Sequence, residues 1–174
     1  NVGPFIRPIK WVCSIMDKKI IDWEFFGVKS SNKSYGHRFL TPSSDASSGK
    51  EITISSPDQY VSALNSAQVL VDVDTRKDTI QQALSESVSD IDEGLLNEVT
   101  HLVEWPTTLV IPFSESFLKL PKEVLTQCLK KHQKAFMVSE RGELKNECVV
   151  VADSVTDANR NQIIEGNQRV MMAR

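Results

Sequence analysis

The residues able to do chemistry in this chain are few and scattered. His37, His101 and His132 lie more than 30 residues apart, and none has a second ligand at metal-binding spacing. Cys13, Cys128 and Cys148 are equally dispersed, odd in number and free of any C-x-x-C pair, so neither a zinc site nor a disulfide framework is suggested. Each reads as a small buried hydrophobe. The chain holds no G-x-x-x-x-G-K-[ST], no G-x-G-x-x-G after a strand, no H-E-x-x-H and no G-x-S-x-G. Phosphate-cradling loops, zincin chemistry and the nucleophile elbow therefore have no support. Glu104-Trp105-Pro106 has the look of an active-site triplet, but a carboxylate that closes an apolar helix beside tryptophan is better suited to accepting structural hydrogen bonds. Trp11, Trp23 and Trp105 read as core or interface anchors, because stacking a nucleotide base needs an exposed ring. Cations remain: Arg38 after His37 in a loop, Lys130, Lys131 and Lys134 around a helix end, and Arg169 and Arg174 on a last helix. Lysines at a helix C-terminus complement its dipole by about 0.3–1 kcal/mol, so part of that cluster has a purely structural use.

The elements that must position these residues centre on Asn97 to Ser139. Leu95, Leu96, Val99, Leu102 and Val103 share one helical face. Pro106 disfavours the helical conformation at Trp105, so the helix stops there and TTLVIPF reads as a short buried strand closed by Pro112. A second helix opens at Pro121, with Val124, Leu125, Cys128 and Leu129 inward, and AFMVSE follows as a strand. Arg141-Gly142 then makes a hairpin turn into CVVVAD, with glycine available for a left-handed position.

Before this centre, Phe5 to Met16 and Ile20 to Val28 read as two strands of a hairpin turning at Asp17-Lys18-Lys19. Gly36-His37-Arg38 is placed at the exposed end of an element, ahead of a serine-rich segment too polar to bury. Glu51 to Ile54 is a strand, and Ser56-Pro57-Asp58-Gln59 is a helix start with capping-box features, leading to Tyr60, Val61 and Leu64 on the core side. QVLVDV reads as a strand. Asp74 reads as the cap of a helix bearing Ile80, Ala83, Leu84, Ser87 and Val88. Asp157 is the expected cap of a last helix carrying Ile163, Ile164, Val170 and Met171, with Gly166 as a point of division.

The 174 residues, 40% of them apolar, fit one domain of ordinary size, 1–174, with a proper core. No apolar run approaches the roughly 20 residues of a membrane-spanning helix, so no membrane partner is expected. The opening NVGPFIRPIKW resembles neither a signal peptide nor a native start, and the chain reads as an excised fragment. Its cysteine usage fits a reducing, cytoplasmic setting. Net charge is only −3, but residues 1–50 carry eight Lys/Arg against four Asp/Glu, residues 51–118 two against twelve, and residues 119–174 ten against seven. An acidic middle between basic ends allows an RNA-facing side without demanding one.

Five ordered blocks carry a family resemblance: Arg7-Pro8 with Trp11; Gly36-His37-Arg38-Phe39; Leu102-Val103-Glu104-Trp105-Pro106; Leu120-Pro121 followed by His132-Gln133-Lys134 and Phe136; and Gly166-Asn167-Gln168-Arg169-Val170. Together they resemble the β subunit of bacterial glycyl-tRNA synthetase, over nearly the whole chain, as a central or N-terminal region of that subunit or of a fused α-β chain. The sequence departs from the family pattern at Ala135, Met137 and Asp153, where an aromatic, a proline and an asparagine are usual.

The resemblance implies an α+β fold, an antiparallel or mixed sheet packed with helices, similar to the editing-like module of the phenylalanyl-tRNA synthetase β chain. It implies a parent enzyme that joins glycine to tRNA with ATP and Mg, with activation in the α part and no catalytic residue or cofactor in this region. The implied partners are the tRNA for glycine, the α subunit or α region, and the remainder of the β subunit. Within the family-like blocks, His37, Arg38, Lys134 and Arg169 are the candidate RNA contacts, since none has an obvious packing role. The resemblance thus implies a non-catalytic tRNA-binding or architectural domain of the synthetase, with a pure scaffold or subunit-interface module as the alternative. A trans-acting hydrolase of mischarged tRNA is weaker still, because a size sieve cannot spare glycine, the smallest standard amino acid, while destroying larger ones.

Overall fold

The structure is a computed structural model, describing residues 8–44 and 48–173. Of the sequence expectations, the strand start at Phe5 to Arg7, the tip of the serine-rich segment at 45–47 and the cation Arg174 lie outside the described residues. The chain divides into two compact units, Asn1–Val71 and Asp72–Arg174, where the sequence reading has one domain. Both mix short sheets with helices, in keeping with the expected α+β class.

The first unit is built from β1 (Val12–Cys13), β2 (Ile15–Met16), β3 (Lys19–Ile20), β4 (Glu24–Phe25), β5 (Val28–Ser31), β6 (Lys33–Tyr35), β7 (Glu51–Thr53) and α1 (Tyr60–Ser66), the last entered through a single 3-10 turn at Pro57–Gln59. β2 and β3 form the expected hairpin, with Asp17 left-handed at φ 55°. The strand expected from Ile20 to Val28 is instead broken. Phe26 and Gly27, at φ 51° and 79°, make a two-residue turn that folds β4 back on β5, because positive φ at both central residues matches the right-handed twist of the flanking strands. β1 pairs with the other side of β5 in parallel. In α1 only Leu64 is buried, whereas Tyr60 and Val61, expected inward, are exposed. Ser56 makes no side-chain cap, so the expected capping box is not formed.

The second unit is a three-stranded antiparallel sheet, ordered β8 (Thr107–Pro112), β10 (Glu143–Ala152), β9 (Ala135–Glu140). Its faces follow the two-residue period of a strand. Phe136, Val138 and Val149 point to one side, where Ile80 and Leu84 of α2 (Val73–Ser85) and Leu95, Leu96 and Val99 of α3 (Glu93–Thr100) close a core. Leu109, Ile111, Ala135, Cys148 and Val150 point to the other, against Leu125 and Leu129 of α4 (Lys122–Gln133) and Met171 of α5 (Arg160–Met172). Arg141 and Gly142, at φ 53° and 86°, close the β9–β10 hairpin as expected.

Several sequence expectations are corrected in this unit. QVLVDV is not a strand: the Asp72 carboxylate accepts the Thr75 N–H at 2.7 Å, so Val73 opens a helix and Asp72, not Asp74, caps it. Leu102, Val124 and Val170, expected inward, are exposed. α3 ends at Thr100, and Leu102 follows in a turn that takes it off the helical face. Asn159, not Asp157, stands at the N-cap position of α5 but makes no side-chain bond to the helix; its side chain accepts the N–H of Thr156, ahead of the helix, at 2.7 Å, while Thr156 Oγ1 accepts the Asn159 N–H at 3.3 Å. Gly166 does not divide α5, which runs unbroken through it.

Candidate interaction surface

Of the four candidate RNA contacts, His37 is the one whose expected exposure fails. It is only 1% exposed. Its Nδ1 accepts the backbone N–H groups of Phe39 and Leu40, both at 3.2 Å, and its own N–H donates to Ala67 O at 2.9 Å. An accepting Nδ1 puts the proton of the neutral ring on Nε2, so His37 serves as the internal brace of a turn. Glycines make this burial possible. A Cβ at Gly36 would sit 2.8 Å from the Ala67 Cβ, and one at Gly49 would sit 1.9 Å from the Gly36 carbonyl oxygen. The turn then presents its next two side chains outward. Arg38 is exposed, its guanidinium carbon 5.4 Å from the centroid of the Phe39 ring, and Phe39 itself is 65% exposed. That is a cation over an aromatic face.

Lys134 and Arg169 belong to the second unit. Lys134 is the C-cap of α4, in the left-handed region at φ 53°, where its N–H donates to Leu129 O. Its ammonium lies 2.8 Å from Glu98 on α3, and Lys130 lies 2.6 Å from Asp92 at the start of α3. The basic corner is therefore largely an α3–α4 clasp. Asp92 also caps α3 by accepting the Leu95 N–H at 2.8 Å, and its carboxyl is held below the ordinary range, first by Lys130 and then by that backbone bond. Arg169 is exposed on α5, whose neighbouring Gln168 donates to Pro112 O at 2.9 Å. Near Lys134, Gln133 Nε2 reaches Asn167 O on α5 at 3.5 Å.

The remaining chemistry-bearing groups have structural uses. The backbone N–H groups of Glu104 and Trp105 both donate to Asp153 Oδ1, at 3.2 and 2.9 Å, which secures the chain between α3 and β8. Asp153 lies 49 residues from Glu104, so no local pattern could have revealed this partner. Burial pushes the Cys148 thiol up to about 12 and raises that of Cys13. A raised thiol holds less of the thiolate that reacts. Among the described residues no group of three His, Cys, Asp or Glu could hold a metal ion. No described helix is long and apolar enough to cross a membrane. Trp11 and Trp23, expected as anchors, stand 39% and 44% exposed.

The family model described as the glycyl-tRNA synthetase beta subunit matches residues 2–174. The chain belongs to the glycyl-tRNA synthetase beta subunit family. It is 41% identical to the glycine–tRNA ligase beta subunit of Listeria monocytogenes serovar 1/2a, over 98% of this chain and 24% of that protein. With the glycine–tRNA ligase beta subunit of Bacillus subtilis strain 168 it shares 36% identity, over 98% of this chain and 25% of that protein. The chain thus spans about a quarter of the length of the curated relatives it matches. Within the beta-subunit family, this chain's Gly36-His37-Arg38-Phe39 block forms the braced turn, and its His132-Gln133-Lys134 block ends α4.

Proposed function

We propose that this chain is a non-catalytic region of a cytoplasmic glycine–tRNA ligase, and that it serves the ATP-dependent joining of glycine to tRNA by holding parts of the enzyme together. Its partners are the remainder of the β subunit and the α subunit or α region. The observation that carries this reading is the exposure of large apolar side chains in the first unit: Met16, Ile20, Trp23 and Phe26 stand 44–63% exposed on two short hairpins. The aromatic part of that set is continuous, the Phe25 ring lying 5.8 Å from that of Trp23 and 4.6 Å from that of Phe26, and an exposed apolar patch marks contact with other polypeptide. Paired lysines at the α3–α4 clasp favour the same reading over a phosphate-binding one. The described residues do not fit an ATP–Mg site, lacking both a carboxylate cluster and a phosphate loop, so no step of activation is assigned to them. The likeness of this region to the editing-like module of the phenylalanyl-tRNA synthetase β chain belongs to the same proposal, as a shape kept for assembly.

Contact with tRNA is the second reading, and Arg38 over the exposed Phe39 ring is what favours it. On the second unit Arg169 is the exposed candidate, while Lys134 is committed to Glu98 and, on the first, His37 to its turn. The two readings part in the full-length enzyme. Changing Trp23 and Phe26 to serine is expected to weaken assembly of the ligase, followed by sedimentation, while the salt slope of tRNA binding stays put. Should Arg38→Ala with Arg169→Ala instead flatten that slope by about 0.7–0.9 per cation, in an enzyme that assembles normally whatever is done to Trp23 and Phe26, tRNA contact would replace assembly as the function.

A further inference from the structure

In the first unit a groove of about 390 Å³ opens between β1, β2 and the start of α1. Trp11 and Tyr60, 39% and 36% exposed, stand at its rim with Pro57, and Ile15 belongs to its apolar wall. Tyr35 backs the Trp11 ring, with the two centroids 4.5 Å apart. Ser34 also lines the groove although it is only 6% exposed, and its hydroxyl has no hydrogen-bond partner among the described residues. Gln133 Oε1 is the one side-chain atom among them that is both sealed and unpaired, so the Ser34 hydroxyl opens to the groove. The indole N–H of Trp11 and the phenol of Tyr60 likewise have no hydrogen-bond partner among the described residues. A hydroxyl on a side chain so deeply buried costs stability while it stays unpaired, and a ligand that reaches it recovers that cost.

We propose that this groove receives a proline-rich segment in the polyproline II conformation, carried by the ligase outside residues 1–174. The proposal rests on the assembly role argued above and names the partner for it. Hydrogen bonding selects proline. Indole donates only, both hydroxyls can donate, and among the described residues no carboxylate or amide side chain lines the groove to receive an N–H. A proline carries a carbonyl and no N–H, so a run of them brings acceptors for these donors and strands no donor of its own. Shape agrees, because a polyproline II helix seats on grooves lined by aromatic rings and, being stiff beforehand, loses little freedom on binding. Charge selects against nucleic acid, whose affinity comes largely from its phosphates. No charged side chain among the described residues lines the groove, and the residue after Pro57 at the rim is the exposed Asp58. Register ties the groove to the assembly face. Ile15 pairs with Ile20 across the β2–β3 hairpin, and directly opposed residues of an antiparallel pair share a face. Ile20 is one of the exposed residues on which the assembly role stands, so the groove runs into that surface and shares its occupant. Relatives about four times as long as this chain have ample sequence to supply such a segment.

The test uses the assembled full-length enzyme with Tyr60→p-benzoylphenylalanine, irradiated and mapped by mass spectrometry. The expected product is a cross-link to one segment of the ligase itself with prolines at P-x-x-P spacing or closer. In the otherwise unmodified enzyme, Ser34→Ala should raise the rate at which N-ethylmaleimide alkylates Cys13, which lines the same groove, about fivefold, since losing one hydrogen bond lets the segment leave more often. The amides of Phe39 and Leu40, held by His37, should exchange with solvent as before and so report that the first unit is intact. If they exchange faster, Tyr60→Phe takes the place of Ser34→Ala, because no described residue pairs with that hydroxyl. A cross-link to RNA, to a segment without prolines or to nothing overturns the proposal, as does an unchanged Cys13 rate in the variant whose first unit is intact. Sedimentation of the enzyme with Trp23 and Phe26 changed to serine is read separately. Normal assembly there would sink the assembly role, whereas weakened assembly without the cross-link would sink only the proline site.

Discussion

At the scale of single residues, His37 and Lys134 look alike in sequence, polar residues in recognisable blocks, yet they do opposite things to the backbone. His37 is a buried acceptor that two part-buried backbone N–H groups depend on. Replacing it with alanine orphans both donors, at about 1–3 kcal/mol each. The expected loss is about 3 kcal/mol or more in denaturant titration, while the exposed neighbour change Arg38→Ala should cost less than about 0.5 kcal/mol. Equal effects of the two changes would show that the turn is not braced in this way. Lys134 carries a left-handed backbone, which costs a residue with a Cβ about 1–2 kcal/mol. Its half-exposed pair with Glu98 returns at most about 1 kcal/mol. The backbone effect is the larger, so Lys134→Gly is expected to hold or raise stability by up to about 1 kcal/mol, and Lys134→Ala to lower it by about 0.5 kcal/mol. Thermal melting of the two variants side by side decides the matter. Neither outcome follows from charge, which both substitutions remove.

At the scale of elements, what was legible in the sequence was local. Ile80, Leu84, Leu95, Leu96, Val99, Leu125 and Leu129 keep a helical period and do face the core. Arg141-Gly142 marks its hairpin within four residues. The reading failed where a side chain or a distant segment overrode the period. QVLVDV has the composition of a strand, but Asp72 captures the Thr75 N–H and starts a helix instead. His37 is buried by partners at Ala67 and Gly49, far along the chain, which no window around Gly36 could include. Capping also ties these elements to pH. The Asp72 carboxyl is held below its ordinary value chiefly by the Thr75 backbone bond, and Asp92 by Lys130 and then Leu95. A group whose folded pKa is depressed stabilises fully above its unfolded pKa and loses that stabilisation as pH falls through the folded one. Stability of the second unit should therefore hold from neutral pH down to about pH 4 and decline below it, near the ordinary Asp value of about 3.9. In the double variant Asp72→Asn, Asp92→Asn the acid decline should be shallower, because asparagine still caps but does not titrate. Identical acid slopes in the two proteins would contradict this account.

At the scale of the whole molecule, the division at residues 71 and 72 bears on how damage spreads. The first unit relies on backbone approach: Gly36 and Gly49 pass so closely that a Cβ at Gly49 would lie 1.9 Å from the Gly36 carbonyl oxygen, nearer than packed atoms tolerate. Backbone cannot move aside as a flexible side chain can, so Gly49→Ala must separate the two strands of chain or break the Gly36 N–H bond to Lys50 O. A cost of about 3 kcal/mol is expected, comparable with the whole stability of a small domain held by short hairpins. The second unit has its own two-sided core on the β8–β10–β9 sheet. Cooperative units open separately when each buries its own apolar surface. Hydrogen exchange on Gly49→Ala should then show amides of β6, β7 and the turn at His37 losing protection together, while those of β10, at Cys148 to Val150, exchange as in the unaltered chain. Loss of protection at Val149 in step with that at Ile54 would mean that the two units fold as one.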